Sequence, residues 1–266
     1  MSVCLIVAVA PSALILWWIL VRDRADPEPP GLVWGTVGLG ALSSVWAVGL
    51  ELLADKLGPG MADAAGEGMP LGSALVAATF VGLAEESGKL LAVLALPFRR
   101  REFNQIFDGV LYCVAASLGF ATLENILYVG MSGLTDGPFG IALTGTMRAV
   151  TAVPGHAGFG ILMGLWVGAA KMVPRKRTRF LLTGFGVATA AHALYDAVLF
   201  TGTWTAILIV PILAIVVTWS LIGIRHVQQR DLAYARSFWA WRRRVDEAAE
   251  AMRLAPAPEG RHLSDQ

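Results

Sequence analysis

Apolar residues in this chain come in long runs divided by short polar breaks, not in the alternating or one-faced patterns of a water-soluble domain. A helix that crosses a bilayer needs about 20 consecutive, mostly apolar residues. Runs of that kind predict seven spans: Val3–Val21, Gly31–Ala54, Leu71–Pro97, Ile106–Met131, Pro154–Val173, Phe180–Thr201 and Thr203–Ile224. The stretch Phe139–Val153 is apolar but short and contains Arg148. It is read as a re-entrant or interfacial helix, or as half of a helix broken at Pro154-Gly155, with an eighth span as the remaining option. The expected fold is therefore all-α: a polytopic transmembrane helix bundle of about seven spans with one additional re-entrant or broken helix. The first run could pass for a secretion signal. It lacks a basic leader, however, and Arg22-Asp23-Arg24 follows it in place of a small-residue cleavage site, so it is read as a retained span.

The loops set the expected orientation. Arg22 and Arg24 lie in one loop, Arg99-Arg100-Arg101 in a second, and Lys171, Arg175, Lys176, Arg177 and Arg179 in a third, while the alternate loops carry almost nothing basic beyond Lys56. By the positive-inside rule the N-terminus is outside and the C-terminus cytoplasmic, in a plasma or inner membrane. A full eighth span would break this alternation. Residues 1–224 are expected to form the membrane domain, with a functional core at about 71–201. Residues 225–254 read as a basic amphipathic helix with Phe238, Trp239 and Trp241 among arginines, lying on the anionic inner leaflet or exposed to water. The end, 255–266, reads as disordered, and the loop from Lys56 to Pro70 as flexible.

Composition narrows the function classes. Charged residues make up 15% of the 266-residue chain and hydrophobic ones 56%, against about 25% charged in soluble domains. A net charge of +1 implies no basic face for nucleic acid. Cys4 and Cys113 fall in apolar runs and form neither a disulfide framework nor a zinc-ribbon spacing; they read as small buried hydrophobes.

Against this background, ionisable residues inside spans stand out, since each costs about 2.5–3.5 kcal/mol on insertion scales. Glu85 and Glu86 fall near the middle of the third span, with Lys89 one turn on. Lys89 can neutralise one carboxylate along the helix, and the other, about 100° round, needs a different partner. An ion pair that locks packing accounts for one Glu but not two. The fourth span carries Phe120, Glu124 and Asn125, with Asp108 near its start as an N-terminal helix charge. For Asn125 an interhelical hydrogen bond and a substrate contact are both open. His156 follows Pro154-Gly155, and His192 and Asp196 share a face of the sixth span, where Asp196 could orient the imidazole or both could bind one metal. Arg148 is a counter-ion for the cluster or a snorkelling interface residue. His226 and His262 lie in the polar tail and are assigned nothing. Counted at 1.5 Å per residue, Glu85 and Glu86 fall near the midplane, and Glu124, His156, His192 and Asp196 between the midplane and the outer surface.

These motifs, Glu85-Glu86-x-x-Lys89, Phe120-x-x-x-Glu124-Asn125 and His192-x-x-x-Asp196, resemble the PrsW family of bacterial intramembrane proteases. So do the run from Phe107-Asp108-Gly109 to Tyr128 and the succession Arg148, Pro154, His156. The resemblance covers about Leu71 to Phe200. Lys89 and Glu124 favour that branch over its CAAX prenyl protease and bacteriocin-immunity relatives. It implies an endopeptidase cleaving membrane-anchored regulators, such as anti-sigma factors, near the outer face, with the bilayer as its other partner. For such a reaction one carboxylate of the Glu85–Glu86 pair, with Glu85 favoured, would serve as general base. His192, oriented by Asp196, would hold water or a metal, and Asn125 could donate to the oxyanion. Glu124, His156 and His192 could form a three-ligand zinc site with an open position, or carboxylate and imidazole could activate water without metal. A proton-coupled transporter and a non-catalytic, immunity-type interaction protein are the rival readings.

Overall fold

Lipid offers peptide groups no hydrogen bonds, so an apolar chain must satisfy them internally, and helices do this within one segment. The computed structural model of the protein describes residues 2–23, 26–57, 68–202 and 204–254. Among them the regular structure is helical throughout: α1 (Ser2–Leu20), α2 (Pro30–Leu57), α3 (Leu71–Ala95), α4 (Ile106–Val150), α5 (Ala152–Met172), α6 (Arg177–Thr201) and α7 (Ile209–Leu254). Proline-led single turns at Pro97–Arg99 and Pro174–Lys176 connect α3 to α4 and α5 to α6. The protein is thus an all-α polytopic membrane bundle. Among the described residues three stretches, Pro30–Leu53, Ile106–Met172 and Thr205–Ala233, are long and apolar enough to cross a membrane, and Cys4–Leu20 is a shorter apolar helix. The helices α3 and α6, each of 25 residues, are also long, but carry the ionisable residues that dilute their apolar content.

The central helix is α4. Every residue from Phe107 to Ala121 is buried, because α1, α2 and α5 all pack against it. On the far side of the site α3 packs on α6, and α6 on α5. Contact between α4 and α5 depends on missing side chains: a Cβ on Gly164 would lie 2.5 Å from the Gly109 carbonyl oxygen, and one on Gly109 2.4 Å from the Gly168 nitrogen. Small residues allow this backbone approach, on which helix association in lipid relies. Gly164→Val is therefore expected to cost at least about 1–3 kcal/mol, seen as a lowered thermal midpoint of the detergent-solubilised protein.

The ambiguous segment before α5 resolves in a particular way. α4 breaks at Gly137 (φ 63, ψ −146), immediately before Pro138, a backbone conformation for which glycine is suited. Residues 138–150 then return alongside the preceding turns: Ser132 Oγ and Thr144 Oγ1 are 2.8 Å apart, and Arg148 Nε donates to Asn125 Oδ1 at 2.5 Å. The break is thus at Gly137, with a second change of direction at Thr151, and not at Pro154. Proline is tolerated at 154 because it stands in the first turn of α5, where its missing N–H leaves no intrahelical bond unmade.

The chain divides into two compact units between Gln228 and Gln229. The second is helical to Leu254, with exposed Arg242 Nε 3.8 Å from Asp246 Oδ2. The side chains of Phe238, Trp239 and Trp241, the segment 255–266 and most of the loop after Lys56 lie outside the described residues.

Candidate functional site

The ionisable residues of four helices meet in one buried cluster. On α3, Glu85, Glu86 and Lys89 are 7%, 0% and 1% exposed, and His156 on α5 and His192 on α6 are 4% and 3%. Burying unpaired charges to this degree would be prohibitive, and each is paired. Lys89 Nζ donates to Glu86 Oε1 at 2.7 Å and to Glu85 Oε2 at 3.1 Å. One ammonium therefore reaches both carboxylates, where sequence spacing alone suggested it would satisfy one. It also lies 3.0 Å from His156 Nδ1 and 4.2 Å from the centre of the Phe120 ring. An ammonium has only protons to give, so His156 Nδ1 accepts, and its Nε2–H donates to Glu124 Oε2 at 2.9 Å.

His192 is flanked by acids on both sides. Its Nδ1 is 3.0 Å from Glu86 Oε1, and its Nε2 lies 3.3 Å from Asp196 Oδ2 and 3.7 Å from Glu85 Oε2. The spacing that puts Asp196 one turn after His192 thus places a carboxylate against the imidazole.

Around the α4–α5 turn a second set of contacts fixes Glu124. Arg148 NH2 pairs with Glu124 Oε2 at 2.8 Å, and the guanidinium lies 4.3 Å from the Tyr128 ring centre. Arg148 is therefore a counter-ion of the cluster. Asn125, 1% exposed, accepts from Arg148 and donates its Nδ2–H to the Ala8 carbonyl oxygen at 3.2 Å. Its amide thereby joins α1, α4 and residues 138–150, with one of its two Nδ2 hydrogens engaged by Ala8.

The donor set differs from Glu124, His156 and His192, the combination considered from sequence. Glu85, Glu86, His156 and His192 can each offer one ligand atom such that all lie within 4.8 Å of one another. Glu124 is outside this group, its Oε2 being shared by Arg148 and His156. Two features suit the group to a cation. Carboxylate oxygens and imidazole nitrogens are the donor types that divalent transition metals take. Glu86 Oε2 is also buried without a hydrogen-bond partner, which is costly unless something else meets it.

Two contributors escaped the motif reading. Phe159 stacks on His192 with ring centres 4.8 Å apart and meets the edge of His156 at 6.2 Å; its position one turn after His156 was the available signal. Glu51 lies at the far end of α2, an otherwise apolar span, and its carboxylate interacts electrostatically with Glu85, Glu124, Asp196 and His192. Ala47, one turn earlier, packs with Ala84 and Phe120, which puts Glu51 on the site-facing side of α2. Among the described residues the neighbourhood holds five carboxylates against Lys89, Arg148 and two imidazoles, so acids outnumber bases.

Fold and site together define a helical membrane protein with a buried carboxylate–imidazole centre of the kind that moves protons or activates water. Comparison with known proteins gives the family. Residues 28–222 match the PrsW family of intramembrane metalloproteases, and the chain belongs to it. It is 30% identical to Protease PrsW of Geobacillus kaustophilus over 71% of this chain and 76% of that protein. The corresponding figures are 30%, 72% and 81% for Protease PrsW of Halalkalibacterium halodurans, and 29%, 81% and 87% for that of Clostridioides difficile. No solved structure matches the chain.

Proposed function

We propose that this protein is an intramembrane endopeptidase that hydrolyses a peptide bond of a membrane-anchored protein near the outer face, with the Glu85–Glu86–His156–His192 cluster as its active centre. The observation that carries the proposal is the convergence of these four donors, from three helices, within 4.8 Å inside an apolar bundle. Membership of a protease family supports it. A regulator such as an anti-sigma factor is the proposed class of substrate. The arginine-rich loops support an N-terminus outside and a cytoplasmic C-terminus.

Glu85 is the general base. It makes one close polar contact, with Lys89 at 3.1 Å, and is slightly open to the surroundings, whereas Glu86 is fully buried and held by both Lys89 and His192. Glu85 can thus receive a proton from water and pass it toward the leaving amine, while Glu86 fixes Lys89 and His192. Asp196 orients His192 through Nε2, and Phe159 holds that ring from its face. Glu124, clamped by Arg148, sets the tautomer of His156.

Zinc or another divalent ion would be held by Glu86, His156 and His192, with Glu85 left free as the base, one position open and Glu124 behind His156. Such an ion would supply Lewis acidity that polarises the scissile carbonyl and makes water easier to deprotonate. A metal-independent version has its own support: Lys89 Nζ already stands among Glu85, Glu86 and His156, where its charge could stabilise an oxyanion.

Metal analysis of the purified protein, with cleavage of a single-span substrate before and after chelation, separates the two. Near-stoichiometric metal, with activity lost on chelation and restored by zinc, is the outcome for the metallo form. Full activity from metal-free protein would end it in favour of the Lys89 form.

A further inference from the structure

A second buried polar cluster lies at the opposite end of α4, about 24 Å along the helix from Glu124 at 1.5 Å per residue, and the peptidase chemistry does not use it. It joins the α1–α2 connection to the first turns of α4. Asp23, Glu28 and Asp108 are 6%, 9% and 0% exposed, and Tyr112 is fully buried. Asp108 Oδ2 accepts the backbone N–H groups of Asn104 and Gln105, both at 2.7 Å, as part of a capping box. Its Oδ1 is buried without a partner. The Tyr112 hydroxyl donates to Glu28 Oε2, and the Glu28 carboxyl interacts with that of Asp108. The Glu28 backbone N–H donates to Asp23 Oδ2 at 3.1 Å.

The described charged neighbours do not neutralise this group. Asp26, which accepts from Asn104 Nδ2, and Glu102 add further negative charge. Lys171 of α5 interacts with Asp108 electrostatically, but its ammonium is spent on the carbonyl oxygens of Phe98 and Arg100 at 2.6 and 2.9 Å. Arg22 is engaged with the Trp18 carbonyl oxygen and ring. Among the described residues no cation forms an ion pair with Asp23, Glu28 or Asp108. Two adjacent buried carboxyls with no counter-ion among the described residues cannot both be ionised at reasonable cost. Tyr112 has no proton to spare for Asp108, since its hydroxyl already donates to Glu28. What the pair lacks is a proton between Glu28 and Asp108.

We propose that Glu28 and Asp108 form a buried proton-binding site that staples the α1–α2 connection to the start of α4. One proton shared by the two carboxyls would satisfy the orphaned Asp108 oxygen. With the loop arginines on the cytoplasmic side, the site responds to cytoplasmic pH. Burial raises the Glu28 carboxyl to about 7 and that of Asp23 to about 6. An acid whose folded value is raised binds its proton more tightly when folded. Its contribution to stability is complete below the unfolded value and is lost as pH rises through the folded one.

The test is thermal unfolding of the full chain in detergent, followed by tryptophan fluorescence across pH. The wild-type midpoint should fall by about 5–10 °C as pH rises from about 5 to about 8.5, the lower part of that fall belonging to Asp23. Glu28→Gln mimics the protonated acid, since its amide can donate to Asp108 and still accept from Tyr112. It should remove most of the fall between about 6 and 8.5 and exceed the wild type at the alkaline end; Asp108→Asn should flatten the same limb. A Glu28→Gln profile parallel to the wild type would overturn the proposal, as would a Glu28→Gln protein that does not fold near pH 6. Recovery of the wild-type midpoint at alkaline pH on adding magnesium or calcium would show a cation site in place of a proton site.

Discussion

Glu85→Gln will insert and fold, and will cleave a single-span substrate about 100- to 10,000-fold more slowly than the wild type, the range that general acid–base catalysis contributes. The amide keeps the shape of the side chain but cannot take a proton from water. Folding should survive, because Glu85 gives Lys89 the longer of its two carboxylate contacts, 3.1 against 2.7 Å, and Glu86 remains as the counter-ion. Glu86→Gln should behave differently. This fully buried residue accepts from Lys89 and faces His192 at 3.0 Å, so its loss should lower both turnover and thermal stability. Paired measurements of initial rate and thermal midpoint separate the two variants. A drop in stability without a drop in rate for Glu85→Gln would remove it as the base.

Lys89→Met is expected to be the most destabilising single substitution in the site. It deletes one charge that serves two carboxylates and His156 at once, and breaking a buried ion pair from one side costs about 3–5 kcal/mol. The lost contact with Phe120 adds to this. A large fall in thermal midpoint, or failure to accumulate in the membrane, is the expected result. Adding Glu86→Gln to Lys89→Met should recover part of the loss, since the uncompensated carboxylate then disappears, and a double-mutant cycle measures the coupling. Additive effects would mean that the two residues do not share an ion pair.

Much of this was legible before any coordinates, for a physical reason. Lipid penalises lone charges, so Glu85, Glu86, Lys89, Glu124, His156, His192 and Asp196 each implied a partner, and a helical bundle offered one place to gather them. Contacts along one helix were the easiest to foresee: Lys89 with Glu85, and His192 with Asp196. Contacts between helices were not. Whether Glu124 turned its carboxylate to a metal or to Arg148 depended on where residues 138–150 fold back, and that is decided by a positive-φ glycine at 137. The same return brings Arg148 onto the Asn125 amide oxygen. A break at Pro154 is one of several options open in the sequence, because a proline breaks a helix interior but not its first turn, and only the start of α5 at Ala152 decides between them. Glu51 was missed because a single acid near the end of an apolar run looks like a loop charge until α2 is seen to pack on α3 and α4.

The most direct test of the central claim is product mapping. Purified wild-type protein, reconstituted with a single-span substrate, is predicted to yield two fragments with one new pair of termini in the outer part of the substrate's span. Protein carrying Glu85→Gln together with His192→Ala should leave the substrate intact over the same time. Identical fragments from both proteins would contradict the account, because the cleavage would then come from somewhere other than the Glu85–Glu86–His156–His192 centre.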